Sequence, residues 1–424
     1  MVNAEVLLWG ERVGAVVWDE RRMNAVFRYD EEFVKRGIEV SPLQMPVNKD
    51  TIYSFPELSR KTFNGLPGML ADALPDAFGR ALLDKWLLMQ GKESANPVER
   101  LCFQGKRSMG ALEFVPAYAT NLDYTDRIEV ESLVKVAGEV LANKEAFQTN
   151  LNSNTEEALA NIIRVGTSAG GQRAKAVIAV NDETGEVRSG QCEVPQGFGY
   201  WLIKLDGVTN KVLGDPEHYG EVEYLHYLLA KAAGINMTEC RLLRENGRAH
   251  FMTRRFDRTE QGKMHMQTLC GMAHYDFNML HAYSYEQAFG VMRGLRLAYT
   301  EAEEFYRRMV FNVVARNQDD HTKNISFLMN RKGEWHLSPA YDMSWSYSPK
   351  GGWTSMHQMS INDKWDNITR EDLLKVAYEM NIKHAPAMID QVVEAVSQWP
   401  KLAKEQSEID PKLIDYIEST HVYL

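Results

Sequence analysis

The sequence predicts an α+β fold in two lobes, and three observations predict it. Short apolar–polar alternations broken by turn residues fill positions 6–29, the pattern of half-buried strands. In mid-chain Lys204 interrupts the apolar run 200–205, and a helix-forming stretch opening with Glu221 and Glu223 follows. Farther on, Asp319 and Asn324 stand in D-x-x-x-x-N spacing, and a hairpin pattern leads from them to Asp342. A strand lysine, a helix glutamate, D-x-x-x-x-N and a later aspartate, in that order, are the parts of a two-lobed protein-kinase-like fold. Its expected form is a mixed α/β N-terminal region with a small β-rich subdomain, followed by an all-α C-terminal lobe.

Composition sets the outer limits. A chain of 424 residues can hold two or three domains with cores of their own. Its 44% hydrophobic and 25% charged residues are those of an ordinary globular protein. The net charge of −10 argues against bulk attraction to nucleic acid. Cys102, Cys192, Cys240 and Cys270 are scattered and form no C-x-x-C pair, so neither a disulfide frame nor a zinc ribbon is indicated. The apolar run at the start is soon broken by Glu11 and Arg12, which reads as a strand and not a signal peptide. No run approaches the roughly 18 apolar residues of a membrane helix. A cytoplasmic enzyme is the expectation.

In chain order, residues 1–117 form the first unit. Strands are expected at 6–9, 13–18 and 25–29. Between 63 and 90 the period turns helical, with Leu70, Leu74, Phe78, Leu82, Leu83 and Trp86 on one stripe and Pro75 at a break; such a stripe is core packing. Asn96-Pro97 opens another helix, and 110–115 closes the unit as a strand.

Residues 118–258 form the second unit. A polar linker at 118–126 precedes a helical stretch at 128–157. The segment 166–173 (GTSAGGQR) carries three glycines, Thr167, Ser168 and Arg173, and it precedes the β-rich run 174–180 with Lys175. Closely approaching backbone N–H groups in such a loop can cradle phosphate; a simple chain reversal is the alternative. The lysine in the 200–205 strand needs an anionic partner, and Glu223 is preferred over Glu221. A β-hairpin over 240–254 ends in the sequence RRFDR; in a two-lobed kinase this exit is the hinge that receives the adenine, which would put Phe256 against it, and plain core packing of Phe256 is the alternative.

Residues 259–424 form the third unit. Helices are expected at 281–297 and 301–315, the latter running straight into the acidic loop at 317–324. In kinases the Asp of D-x-x-x-x-N orients the substrate hydroxyl and accepts its proton, the Asn ligates Mg²⁺, and a later Asp holds Mg²⁺ against the phosphates. Here these are Asp319, Asn324 and Asp342. Further helices are expected at 371–380, 385–398 and 411–417.

The motifs GTSAGGQRAKAVIAV, WLIKLD, TRRFDR, NQDDHTKN and LSPAYDMS together resemble the HipA family of bacterial serine/threonine-protein kinases, toxins of HipBA-type toxin–antitoxin modules. The resemblance runs over nearly the whole chain. It implies use of ATP and Mg²⁺, with Asp319 as catalytic base and Asn324 and Asp342 as metal ligands. The implied nucleotide contacts are Lys204, Glu223, Gly170, Gly171, Gln172, Phe256, His321 and Lys323. Ser168, with Thr167 beside it as the alternative, matches the serine that family members autophosphorylate. The residues Gln172-Arg-Ala174 depart from the family loop. The implied partners are a HipB-type helix-turn-helix antitoxin, operator DNA reached through it, and a protein substrate. Two rival readings are a metal-dependent hydrolase using Asp319, Asp320 and His321, and a catalytically quiet corepressor that only binds the antitoxin.

Overall fold

The computed structural model describes residues 3–89, 91–92, 94–118, 127–142, 174–208 and 218–424. The Gly-rich segment expected to carry Thr167, Ser168, Gly170, Gly171 and Gln172 lies outside the described residues, as does the second half, 143–157, of the helical stretch 128–157.

The N-terminal unit is an antiparallel sheet of β1 (Asn3–Leu8), β2 (Glu11–Asp19), β3 (Asn24–Tyr29), β4 (Ile52–Tyr53) and β5 (Leu112–Val115), in the order β4-β3-β2-β1-β5. Alternate residues of β1 and β2 are buried, as period-2 patterning requires. The helix Pro97–Gln104 packs on this sheet. Asn96 caps it and accepts from the Glu99 N–H, while Glu99 returns the bond to the Asn96 backbone.

The Leu/Trp stripe of the helix Ala77–Met89 serves the core of the second sheet. Leu82, Leu83, Trp86 and Leu87 cluster with Ile178, Trp201, Ile203 and Met252. That sheet comprises β6 (Lys175–Asn181), β7 (Val187–Ser189), β8 (Phe198–Lys204), β9 (Cys240–Glu245) and β10 (Arg248–Arg254), in the order β7-β6-β8-β10-β9. Asn246 and Gly247 both have positive φ at the β9–β10 turn, the conformation a tight hairpin demands. The helix Tyr219–Ala232 lies against β9 and β10. Gly220 permits the approach, since a Cβ there would come within 2.1 Å of the Ala249 carbonyl oxygen.

The C-terminal lobe is built on the helices Tyr285–Gly294, Tyr299–Val314, Arg370–Met380, Ala385–Val396, Trp399–Gln406 and Pro411–Thr420. Its first helix begins later than the periodicity predicts, because Ser284 and Gln287 form a capping box there and His281 takes a left-handed conformation. The helix Trp399–Gln406 is absent from the sequence expectations; Pro400 sits in its first turn, where a proline opens a helix and does not break it. The lobe also carries a small antiparallel sheet of His265–Thr268, Ser326–Met329 and Trp335–Leu337, whose last two strands are the hairpin expected between Asn324 and Asp342. One core runs from the N-terminal sheet into this lobe, joining Leu70 to Leu269 and Met309.

Candidate active site

Lys204 ends β8 at the centre of the second sheet, paired in register with Lys175 on one side and Phe251 on the other. Its Nζ lies 2.5 Å from Glu223 Oε1 and 2.6 Å from Asp342 Oδ1. Burial by itself would lower the lysine pKa, but the carboxylates of Asp342 and Glu223 outweigh it and raise the value. Burial likewise pushes Asp342 up, and the Lys204 ammonium holds it below the ordinary carboxylate range. Glu221, the other candidate in the same helix, turns away: it takes Arg244 at 2.7 Å and His218 at 2.9 Å.

Asp342 sits at φ 53°, a left-handed conformation that costs a non-glycine residue about 1–2 kcal/mol. The neighbouring chain holds it there. Asn317 Nδ2 donates to the Asp342 carbonyl at 3.2 Å, and residues 317 and 346 form a β-bridge.

The acidic loop follows directly from the helix Tyr299–Val314, and the side chain of Asn312 on that helix accepts from Asn317 Nδ2 at 2.9 Å. Two adjacent aspartates then part company. Asp320 is buried, accepting from the Tyr285 hydroxyl at 2.8 Å and the Gln358 backbone N–H at 2.8 Å, with His357 Nδ1 at 2.9 Å. Asp319 keeps 41% of its side chain exposed. Its Oδ1 accepts from the Trp353 indole N–H at 2.5 Å, with His321 Nε2 at 3.7 Å. Desolvation raises the Asp319 pKa, as do the charges of Asp342 and Asp320, against the pull of His321 and the Trp353 N–H. A 3₁₀ turn, Thr322–Asn324, brings Asn324 back so that its Nδ2 donates to the Asp319 carbonyl at 2.8 Å. The hydrolase trio of Asp319, Asp320 and His321 therefore does not form, because Asp320 spends both oxygens on the buried network.

Asn324 and Asp342 line one cleft together with Lys323, Lys175 and Phe256. Leu202, Met237, Phe251 and Tyr341 give this cleft an apolar slot. The Phe256 ring lies 5.7 Å from that of Tyr341. His321 stands between Phe277 and Trp353, at 5.3 and 6.1 Å, and Lys323 Nζ lies 5.3 Å over the Phe277 ring. The far wall comes from the N-terminal unit, through Met69, Asp72 and Met109. Asp72 accepts from the Thr268 N–H at 2.7 Å, and Asp76 pairs with Lys175 at 3.4 Å, with both side chains of that pair buried. Sequence reasoning missed Trp353, Tyr341 and this wall. Only Asn317 carried a local signal, heading the acidic loop.

The donor set suits a magnesium ion. Asn324 spends its Nδ2 on the Asp319 carbonyl, which leaves Oδ1 for a cation, and Asp342 supplies carboxylate oxygen in the same cleft. Mg²⁺ binds through few protein oxygens and completes its shell with water and phosphate. Among the described residues no cluster of three His, Cys, Asp or Glu side chains could cage a metal alone.

Comparison with known proteins identifies the family. The family model for the HipA-like C-terminal domain matches residues 167–399, and that for the HipA N-terminal domain matches residues 4–115. A curated Sinorhizobium fredii protein named "Putative kinase Y4dM" is 26% identical over 219 residues, 47% of this chain and 51% of the relative. The match thus spans about half the length of that relative. Among solved structures, HipA of Shewanella oneidensis MR-1, solved with HipB and its operator DNA, superposes with a TM-score of 0.67 at 17% identity. That likeness covers 98% of this chain and 94% of the other and is one of fold. A slighter likeness, with a TM-score of 0.36 at 12% identity over 53% of this chain and 88% of the other, is to the proinflammatory kinase CtkA of Helicobacter pylori.

Proposed function

This chain belongs to the HipA family, and from that premise we propose that it is an ATP- and Mg²⁺-dependent serine/threonine-protein kinase, the toxin of a toxin–antitoxin module. One observation carries the reading: Lys204 joins Glu223 to Asp342, and Asp342 lines one cleft with Asn324, whose side chain is hydrogen-bonded to the Asp319 carbonyl.

In this reading residues 1–117 are the family's N-terminal subdomain, 118–258 the N-lobe with its Gly-rich loop, and 259–424 the helical catalytic lobe. The adenine lies in the apolar slot beside Phe256. Lys204 neutralises phosphate charge, held in place by Glu223. Lys323 and His321 add donors, and Gly170, Gly171 and Gln172 are assigned to the phosphates by family resemblance. Asn324 and Asp342 hold Mg²⁺, which when bound screens the charge of the transferring phosphoryl group. Asp319 orients a serine or threonine hydroxyl and accepts its proton. Most of the catalysis is positioning and electrostatics. Ser168 is the site of autophosphorylation.

The partners in this reading are a HipB-type antitoxin and, through it, operator DNA; the net charge of −10 suits DNA contact made by the partner. The protein substrate is a cellular protein whose phosphorylation arrests growth, and the setting is cytoplasmic. Among the described residues no helix is long and apolar enough to cross a membrane. Intact-mass measurement after incubation with Mg²⁺-ATP tests the activity. The wild-type chain gains one phosphoryl group at Ser168 and Asp319→Ala gains none; equal gain by both would refute the assignment of Asp319.

A further inference from the structure

The loop that follows Asp342 returns to the acidic loop and closes a ring of hydrogen bonds around Asp319. The Gln358 backbone N–H donates to Asp320 Oδ1 at 2.8 Å. Its side-chain Nε2 donates to the carbonyls of Gln318 at 3.3 Å, of Met356 at 3.1 Å, and of Trp353. The Trp353 indole N–H then donates to Asp319 Oδ1 at 2.5 Å. Gln358 thus ties the Trp353 carbonyl to the residues on either side of Asp319, while the Trp353 side chain grips the Asp319 carboxylate. The loop bearing it is shaped for this: Gly351 and Gly352 take φ of 92° and 96°, and Ser348 ties the loop across to Gly351 and Thr354.

An aspartate that is 41% exposed would otherwise sample several rotamers. With Oδ1 held, Oδ2 is the oxygen left without a hydrogen bond among the described residues. We propose that Trp353 is a positioning residue for phosphoryl transfer: its indole N–H fixes the Asp319 carboxylate so that the free oxygen meets the substrate hydroxyl. The proposal rests on the kinase reading and extends it, because the residue lies outside the lysine, glutamate, aspartate and asparagine set. The Trp353 indole N–H is spent on Asp319, the residue that meets the substrate hydroxyl, so its action falls on the hydroxyl side of the reaction.

The test uses the full chain, Mg²⁺-ATP as probe, and the rate of phosphoryl gain by intact mass as a function of ATP concentration. Trp353→Phe keeps the ring and removes the donor. It is expected to lower the maximal rate about 10- to 100-fold, the scale of losing one preorganised hydrogen bond or of misplacing a reacting group. The half-saturating ATP concentration stays within about twofold, because no nucleotide contact is lost. Trp353→His, which offers an N–H from a shorter ring, should recover part of that rate. A role in packing alone would leave Trp353→Phe at the wild-type rate and slow only Trp353→Ala, and that result overturns the proposal. A parallel rise in half-saturating ATP would overturn it too. Absence of any phosphoryl gain by the wild-type chain would instead refute the kinase reading, and this inference with it.

Discussion

The Nζ of Lys204 lies 2.6 Å from Oδ1 of Asp342, although 138 residues of chain separate the two. One ammonium thereby links the central strand of the second sheet, the helix that carries Glu223, and the turn after the acidic loop. The link depends on geometry set elsewhere: Gly220 lets the helix settle on β10, and Asn317 holds Asp342 in its left-handed conformation.

Removing that ammonium leaves two carboxylates facing each other, one of them almost wholly buried. Breaking a fully buried ion pair from one side costs about 3–5 kcal/mol. Because 28% of the Asp342 side chain is exposed, Lys204→Met should cost about half of that, seen in urea unfolding, together with all phosphoryl transfer. Adding Glu223→Gln should restore much of the stability and none of the activity.

The adjacent aspartates should separate stability from catalysis. Asp320→Asn puts an NH2 donor in place of one of the two oxygens that accept from Tyr285, His357 and Gln358, and about 2–4 kcal/mol of unfolding free energy should be lost with the charge and that acceptor. Asp319→Asn should change stability by less than about 1 kcal/mol while abolishing transfer. Denaturant melts and intact-mass assays on the same two variants decide it.

Phe256→Ala should weaken ATP binding about tenfold, the scale of losing an aromatic stacking partner, without altering the dependence of that binding on Mg²⁺. Titration calorimetry reads both quantities.

Stability should also fall in mild acid. Burial lowers the pKa of His226 and of His265 from 6.5 to about 4, so below pH 6.5 the unfolded chain binds protons that the folded chain refuses. Their contribution is flat above that pH and declines down to about pH 4, by up to about 3 kcal/mol for each histidine. His226 sits on the same helix as Glu223, and His226→Gln should flatten part of the slope in urea midpoints measured against pH.

The local parts of this architecture were legible because each has a local cause. Alternation marked β1 and β2, Asn96-Pro97 marked the start of its helix, and a lysine within an apolar strand asked for a carboxylate that Glu223 supplies. What was hidden depends on distant chain meeting. The sequence near Asp72 says nothing of Thr268, 196 residues away, so the contribution of the N-terminal unit to the cleft could not be read. Trp353 sits in a Ser- and Gly-rich segment with no periodicity, and its partner is 34 residues upstream. The divergence of Asp319 from Asp320 was equally invisible, since only Tyr285, His357 and Gln358 distinguish the two.

The central claim is that Asn324 and Asp342 share one magnesium ion with the phosphates of ATP. Calorimetric titration of ATP into the chain, with and without Mg²⁺, tests it most directly when wild type is compared with Asn324→Leu. The account predicts that Mg²⁺ tightens ATP binding to the wild-type chain at least about tenfold and that this gain disappears in the variant. An equal gain in both proteins, or none in the wild type, would contradict it.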